Sequence, residues 1–426
     1  MRTSPFAMLS PWVALLALAS AALAQDVRLD IRSGASSRLP IRCLPLAPAG
    51  DRDARTSSVQ ADEVLASDLQ ASAVFQVAKA WDPGVLAPPP AQADIGGKWT
   101  VNGASVRLAG EVVDATSRKA ILTREYRGPL ARWRELVHRF ADDIVMQFTG
   151  EPGVASTKMA FVAQEGRAKE LWVMDADGWG AHPLTADGSI VQSPAWAPDA
   201  SLLLFTSYRG GTGPQLWVLS PEQRKPFLVS GRPGLNTSGA YSPDGQSIAC
   251  TLSRDGNAEI YRLDARGGSP QRLTDSRGID TSPAWSPTGR AIAFTSDRSG
   301  QPQVHVMDAD GSNVHRLTYD VSYTDSPAWS PKGDRIAFVT RTGAGFDIWM
   351  CRPDGSGATP VVTGGSNENP RWSPDGRHLV FTSNRDGSRS LWVSDIDGAE
   401  PRKLDTGGRK AFSPAWSPRI TGEVRP

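Results

Sequence analysis

The residues of this chain most able to hold a metal ion or attack a substrate are five histidines, three cysteines and a set of Asp-Gly turns. A serine hydrolase of the α/β class needs Gly-x-Ser-x-Gly at a strand–helix turn, and no such motif occurs. No Walker loop, His-Glu-x-x-His or Cys-x-x-Cys occurs either. His182 and His315 hold the same place before a Leu-Thr pair, in copies of a repeat that would stand opposite each other in a ring. His305 and His378 fall in strands and His138 in an N-terminal helix, so the five are not expected to converge on one metal. The turns Asp175-Ala176-Asp177-Gly178 and Asp308-Ala309-Asp310-Gly311 are too short for a calcium loop with a distal bidentate acid. Asp and Gly favour tight turns for backbone reasons alone. No cofactor or metal is called for, although an ion in a central channel stays open.

The elements that place these residues are set by a repeat. The phrase reads SPAWAPD at Ser193, SGAYSPDG at Ser238, SPAWSPTG at Ser282, SPAWSPKG at Ser326, NPRWSPDG at Asn369 and SPAWSPR at Ser413. Its aromatic members are Trp196, Tyr241, Trp285, Trp329, Trp372 and Trp416, spaced by 45, 44, 44, 43 and 44 residues. That period suits four-stranded propeller blades. In each copy a short strand ends in Ser-Pro, a Gly turn follows, and three further short strands alternate with turns. The second-strand pattern first appears at KMAFVA, before the first complete phrase, and the last phrase has no blade after it. Pairing Ser413–Ser417 beside Met159–Val162 therefore closes a six-bladed ring and hides its open edges.

Phe161, Phe205, Phe294, Phe338 and Phe381 share one slot of the second strand, filled by Cys250 in the remaining blade. Trp172, Trp217, Tyr261, Trp349 and Trp392 share a slot of the third. Packing between blades is the favoured use of these ladders, with stacking on bases or sugars the alternative. Cys250 and Cys351 then lie in different blades and read as small core hydrophobes.

The fold class is thus mainly β, a six-bladed β-propeller over 151–426 preceded by a small α/β domain over 25–150. In the latter, Val27, Leu29 and Ile31 alternate as in a strand, Ile41–Leu46 is a short apolar segment, and Val59–Val74 has helical spacing. Pro83–Pro90 reads as a loop, and Ser105–Asp114 with Lys119–Tyr126 as a hairpin. Trp133, Leu136, Phe140, Ile144 and Phe148 mark one face of a helix, and Gly150–Gly153 a hinge. At the start, Arg2, an apolar run from Trp12 to Leu23 and the Ala22-Leu23-Ala24 site fit a secretory signal peptide over 1–24, cleaved before Gln25. Lys plus Arg is 46 and Asp plus Glu 45, which leaves no electrostatic footprint for nucleic acid and no polybasic membrane patch.

What remains is surface. The segments before the inner strands should meet at one mouth of the ring: Gln192; Leu235, Asn236 and Thr237; Ile279, Asp280, Thr281 and Ser282; Tyr323, Thr324 and Asp325; Asn367 and Glu368; and Lys410 and Phe412. A polar rim with Ile279, Tyr323 and Phe412 as anchors can grip a protein.

The signal peptide, the segment DVRLDIRSG, the helix RWRELVHRFADDIVMQFTG and six SPAWSPDG-type blades together resemble the TolB family of the Tol–Pal system. The resemblance covers essentially the whole mature chain. It implies a non-enzymatic periplasmic scaffold whose propeller mouth binds a Pal-like peptidoglycan-associated lipoprotein, and through it associates peripherally with the outer membrane. It also implies that the mature N-terminus, here Asp26, Val27, Arg28, Leu29, Asp30 and Ile31, contacts a TolA-like inner-membrane protein, in a role in outer-membrane integrity and constriction at division. By position, Leu235, Asn236, Thr281 and Ser282 fall on the Pal-facing rim, although Leu235 and Ser282 replace a more polar and an acidic residue. A further departure is expected in the first domain, where ADIGGKWTVNG stands in place of the family's apolar strand, so that a strand is missing or degraded. An exported propeller hydrolase or a sensor of envelope fragments are the competing functions.

Overall fold

The computed structural model describes residues 38–50, 52–82, 90–211, 213–319, 321–343, 345–397 and 401–419. The signal segment and the expected strand at 27–31 lie outside these residues. The first domain is a mixed sheet with two helices. Its elements are β1 (Leu39–Cys43), β2 (Ala47–Gly50), α1 (Arg52–Ala71), β3 (Phe75–Lys79), β4 (Ala93–Asn102), β5 (Ser105–Asp114), β6 (Ala120–Pro129) and α2 (Trp133–Thr149). The sheet runs β3-β1-β4-β5-β6, with β2 also paired to β4. Strands β3, β1 and β4 are parallel, while β4, β5 and β6 form an antiparallel meander. The helices bury Leu65, Leu69, Phe140 and Ile144 against Trp99 and Leu108. The Trp99 indole N–H, far from water, is satisfied by Ser57 Oγ at 2.9 Å.

The strand expected to be missing is present. Strand β4 pairs with β5 in unbroken register from Ala93↔Asp114 to Asn102↔Ser105. Its glycines obscured it in the sequence, because Gly weakens an ordinary strand. Here close approach demands them. A Cβ at Gly97, whose φ is +154°, would lie 2.2 Å from the Ala109 carbonyl oxygen. Opposite it, a Cβ at Gly110 would lie 2.4 Å from Phe140 Cζ, so the bare backbone is what lets α2 close on the sheet.

Six four-stranded antiparallel sheets follow. Blades two to six take their strands consecutively, starting at Val191, Asn236, Asp280, Thr324 and Asn367. The first blade combines the last strand, Ala411–Trp416, with Lys158–Glu165, Ala168–Asp175 and His182–Pro183. The closing pairs are Ala411↔Ala163, Phe412↔Val162, Ala415↔Ala160 and Trp416↔Met159. Side chains lock the join. Trp416 Nε1 donates to Thr157 Oγ1 at 2.8 Å, and Ser417 exchanges bonds with the Lys158 backbone at 2.8 and 2.9 Å. The five ladder phenylalanines are fully buried, and Phe161 pairs across to Trp172, Phe205 to Trp217, Phe338 to Trp349 and Phe381 to Trp392. Cys250 faces Tyr261 in the blade lacking that Phe, and all three cysteines are free and buried. Burial pushes the Cys250 and Cys351 thiols up to about 12, so neither is a ready nucleophile.

The two domains are held together by charge. Arg38 pairs with Asp395 at 2.6 Å and Arg134 with Asp177, while Glu151 of the connecting segment pairs with Lys332 at 3.2 Å. The expected hinge at Gly150–Gly153 is tied down. Asp142 accepts the N–H groups of Ala155 and Ser156 at 2.7 and 3.0 Å, and Arg419 reaches the Pro152 and Gly153 carbonyls. His138 of α2 is buried, with Nδ1 2.6 Å from Asp68 of α1, while Asp177 of the first blade, Arg134 and Arg402 surround the pair. Burial alone would push this imidazole down. The carboxylates of Asp68, Asp177 and Asp175 outweigh it and push its pKa up to about 9.

Two outcomes follow from these contacts. Replacing Trp416 by Ala removes the latch, and denaturant titration should read a loss of about 3–5 kcal/mol. A histidine pKa above its unfolded value of 6.5 stabilises the fold fully below that value and ceases to do so as pH rises through about 9. Stability should therefore fall between neutral pH and about pH 10, and His138→Gln should flatten that slope while costing about 3–5 kcal/mol at neutral pH.

Candidate functional site

The mouth is built by one local device used six times. Each inner strand carries a β-bulge, with its register shifting after the second residue, as between Gln192 and Ala195 or Thr281 and Ala284. The third residue takes a left-handed backbone in every copy. Ser193, Ser238, Ser282, Ser326, Asn369 and Ser413 have φ between 46° and 55°. Such a conformation costs a non-glycine residue on the order of 1–3 kcal/mol and persists only where the surroundings fix it. Here it turns the strand so that its first residue points into the blade and its second toward the opening.

The expected rim residues divide accordingly. Asn236, Asp280, Thr324 and Asn367, each at a first position, are fully buried and do not present their side chains at the mouth. They hold the crossing loops instead. Asn236 Nδ2 donates to the Arg232 and Gly234 carbonyls at 2.7 and 3.1 Å, and Asn367 Nδ2 to those of Phe346 and Gly364 at 3.1 Å. Thr324 Oγ1 accepts the Val304 N–H at 2.8 Å. Asp280 receives Arg298 at 2.6 Å, and its burial pushes its pKa up to about 6. These positions were read as rim because the bulge, which decides orientation, leaves no mark in a period of 44.

The others stand at the opening. Leu235 is 41% and Ile279 51% exposed, a large share for apolar side chains. Gln192 and Lys410 are exposed, and Thr237, Thr281, Ser282, Tyr323, Asp325, Glu368 and Phe412 partly so. Phe412 lies between the Lys169 ammonium, 4.8 Å from its ring centre, and Arg389, which pairs with Glu368 at 2.8 Å. The rim is fastened from behind in three blades alike. The N–H of Leu235 donates to Ser253 Oγ, that of Ile279 to Asp297 Oδ1 and that of Ser366 to Asn384 Oδ1, at 2.6–2.8 Å. The first domain's ion pairs fall at the far ends of third strands, on Asp395 and on Asp177 just beyond one, so they leave the mouth clear.

Below the mouth runs a channel of about 420 Å³, lined by the Ser-Pro-Ala-Trp segments of all blades. One lining residue went unnoticed in the sequence, where its signal was plain: Arg371 stands where the other five copies have Ala.

No histidine lines this channel. His378 Nδ1 lies 2.8 Å from Asp395, the base half of a hydrolytic triad, but its ring stacks on Trp416 and its Nε2 has no partner among the described residues. Asp68, His138 and Asp177 bring three ligand atoms within 4.8 Å of one another. The histidine grouping was not foreseen, because it depends on the docking of two domains. Arg134 and Arg402 already supply positive charge to its carboxylates, which makes it an ion-pair cluster.

The molecule is a closed six-bladed propeller with an α/β domain on one face and an open mouth on the other. A family model described as TolB beta propeller domain matches residues 145–420, and the chain belongs to that family. It is 38% identical to the Tol-Pal system protein TolB of Anaeromyxobacter dehalogenans (strain 2CP-1 / ATCC BAA-258) over 281 residues, covering 62% of this chain and 64% of that one. With the protein of the same name from Desulfosudis oleivorans it shares 35% identity over 182 residues, 43% of this chain and 41% of the relative. The chain thus spans less than two thirds of the length of these curated relatives. The crystal structure of TolB from Acinetobacter baumannii superposes with a TM-score of 0.79 at 24% identity, over 90% of this chain and 98% of that one, which shows the same fold.

Since the bulge geometry is intrinsically costly, Ser413→Gly, which suits φ of 46°, should leave stability unchanged or raise it by about 1 kcal/mol. Ser413→Val should lower it by more than that, as read by thermal unfolding.

Proposed function

We propose that this chain is a non-catalytic, periplasmic component of a Tol–Pal system that binds a Pal-like lipoprotein through its propeller mouth. The observation that carries the reading is the mouth itself: Leu235 and Ile279 are exposed apolar side chains on backbone pinned by hydrogen bonds, within a family whose named members are Tol-Pal proteins. A surface fixed in advance binds without the entropic cost of ordering its loops. Its polar surround, from Gln192, Thr237, Thr281, Ser282, Asp325, Glu368 and Lys410, supplies the rim that specificity requires. Tyr323 and Phe412, each flanked by a guanidinium or an ammonium, favour a partner presenting carboxylates. Binding a lipoprotein there would bring the chain to the outer membrane peripherally, and among the described residues no helix is long and apolar enough to cross a bilayer.

The mature segment Asp26–Ile31 is proposed to engage a TolA-like inner-membrane protein. The mouth and this segment would then join two partners in the service of outer-membrane integrity and constriction.

A crosslinker at Thr281, followed by identification of what is captured from native envelopes, should return the Pal-like lipoprotein. Leu235→Ala and Ile279→Ala should each weaken its binding by about 1–2 kcal/mol, close to tenfold, in calorimetry with the full chain. Envelopes that yield no such lipoprotein, or variants that bind it as well as the parent, would sink the proposal.

A further inference from the structure

Five inner strands place alanine at the same channel position: Ala195, Ala240, Ala284, Ala328 and Ala415, each paired to the second strand one step before the aromatic residue. The remaining strand has Arg371, in register with Val380. The pseudo-sixfold ring of methyl groups is therefore broken by one guanidinium inside a channel walled by prolines and tryptophans. Among the described residues that guanidinium makes a single hydrogen bond, from Nη1 to the Pro370 carbonyl at 2.8 Å. Among the described residues it forms no ion pair. Asp325, whose charge it feels, is occupied elsewhere, accepting Thr295 Oγ1 at 2.8 Å and the Ser326 N–H at 2.6 Å.

Arg371 is only partly buried, and with five donors and one bond to the protein it keeps most of its hydrogen-bonding capacity for whatever enters the channel. Burial holds its pKa below the usual value, yet arginine stays charged at neutral pH. The hydroxyls of Ser193, Ser238, Ser282 and Ser326 line the same space and have no hydrogen-bond partner among the described residues. Each stands at the left-handed bulge position of its inner strand. One fixed cation and several free hydroxyls, in about 420 Å³, match one small anionic group.

We propose that the propeller channel is an anion site in which Arg371 holds a carboxylate, with the serine hydroxyls completing its shell. A planar carboxylate meets a guanidinium through two parallel bonds. A monoanion also leaves the site neutral, whereas a phosphate dianion would leave one negative charge without a partner in the channel. The carboxylate has two possible sources, a free small acid or a side chain or C-terminus that a docked protein inserts from the mouth. The second source rests on the function proposed above, while the first does not.

The test uses the full chain and N-acetylglycine, a monocarboxylate small enough for the channel, followed by calorimetry and tryptophan fluorescence. The parent should bind it saturably, with Kd on the order of 1 mM. Arg371→Ala installs the residue of the five sister blades, so it should fold with an unchanged or higher Tm and bind at least tenfold more weakly. Arg371→Lys, which keeps the charge without the fork, should fall between them, and inorganic phosphate should bind the parent more weakly than N-acetylglycine. Absence of saturable binding to the parent, or equal binding by a folded Arg371→Ala, would overturn the proposal. A competition arm separates the sources. If a partner supplies the carboxylate, N-acetylglycine should weaken capture of the Pal-like lipoprotein by the parent and have no such effect on Arg371→Ala. Saturable binding that leaves capture unchanged supports a free acid as the ligand, and failure of capture altogether touches only the earlier reading.

Discussion

The structure depends on the antiparallel pairing of Ala411–Trp416 with the strand that opens the propeller. Every other blade buries its faces against neighbours on both sides, as repeats in a stack do. Without this pairing two blade faces and two strand edges would meet water. The latch is reinforced at each level: backbone bonds, the Trp416 indole on Thr157, the stacking of Trp416 on His378, and the hold of Asp395 on that histidine. Asp395 also takes Arg38 from the first domain, so the join of the ring and the docking of the α/β domain share a residue.

Much of this was legible in the sequence, for definite reasons. A period of 44 residues and the offset between the first-strand and second-strand series, six of each, imply a ring closed by its own tail. The Phe and Trp slots recur because each blade solves the same packing problem. Less legible was whatever depends on one dihedral angle or on contacts between domains. Strand β4 looked degraded because Gly96 and Gly97 lack the signature of a strand, while their real constraint, the nearness of Ala109 and Leu44, exists only in three dimensions. Asn236, Asp280, Thr324 and Asn367 looked like rim residues because polarity is an unreliable guide to exposure where loops need internal anchors. His138 meets Asp68 and Asp177 across 70 and about 40 residues of chain, which no local pattern reports.

The two faces of the ring are chemically distinct. One receives the α/β domain through buried and partly buried charges, whose strength varies with protonation. The other presents apolar and aromatic side chains on fixed backbone. Between them the channel keeps a sixfold plan of small side chains interrupted once. Symmetry inherited from a repeat makes such interruptions informative, since five neighbours show what packing alone would place there.

The pairing of Lys158 with Ser417 spans 259 residues, and it sets an order on assembly. The α/β domain is contiguous from β1 to α2 and can form while the rest of the chain is still being made. The first blade cannot, because its innermost strand follows those of all the other blades in the chain. A nascent chain, or one cut short before Ala411–Trp416, therefore carries an unfinished sheet edge at a blade that touches the first domain, and only a polypeptide that includes that strand can shield it.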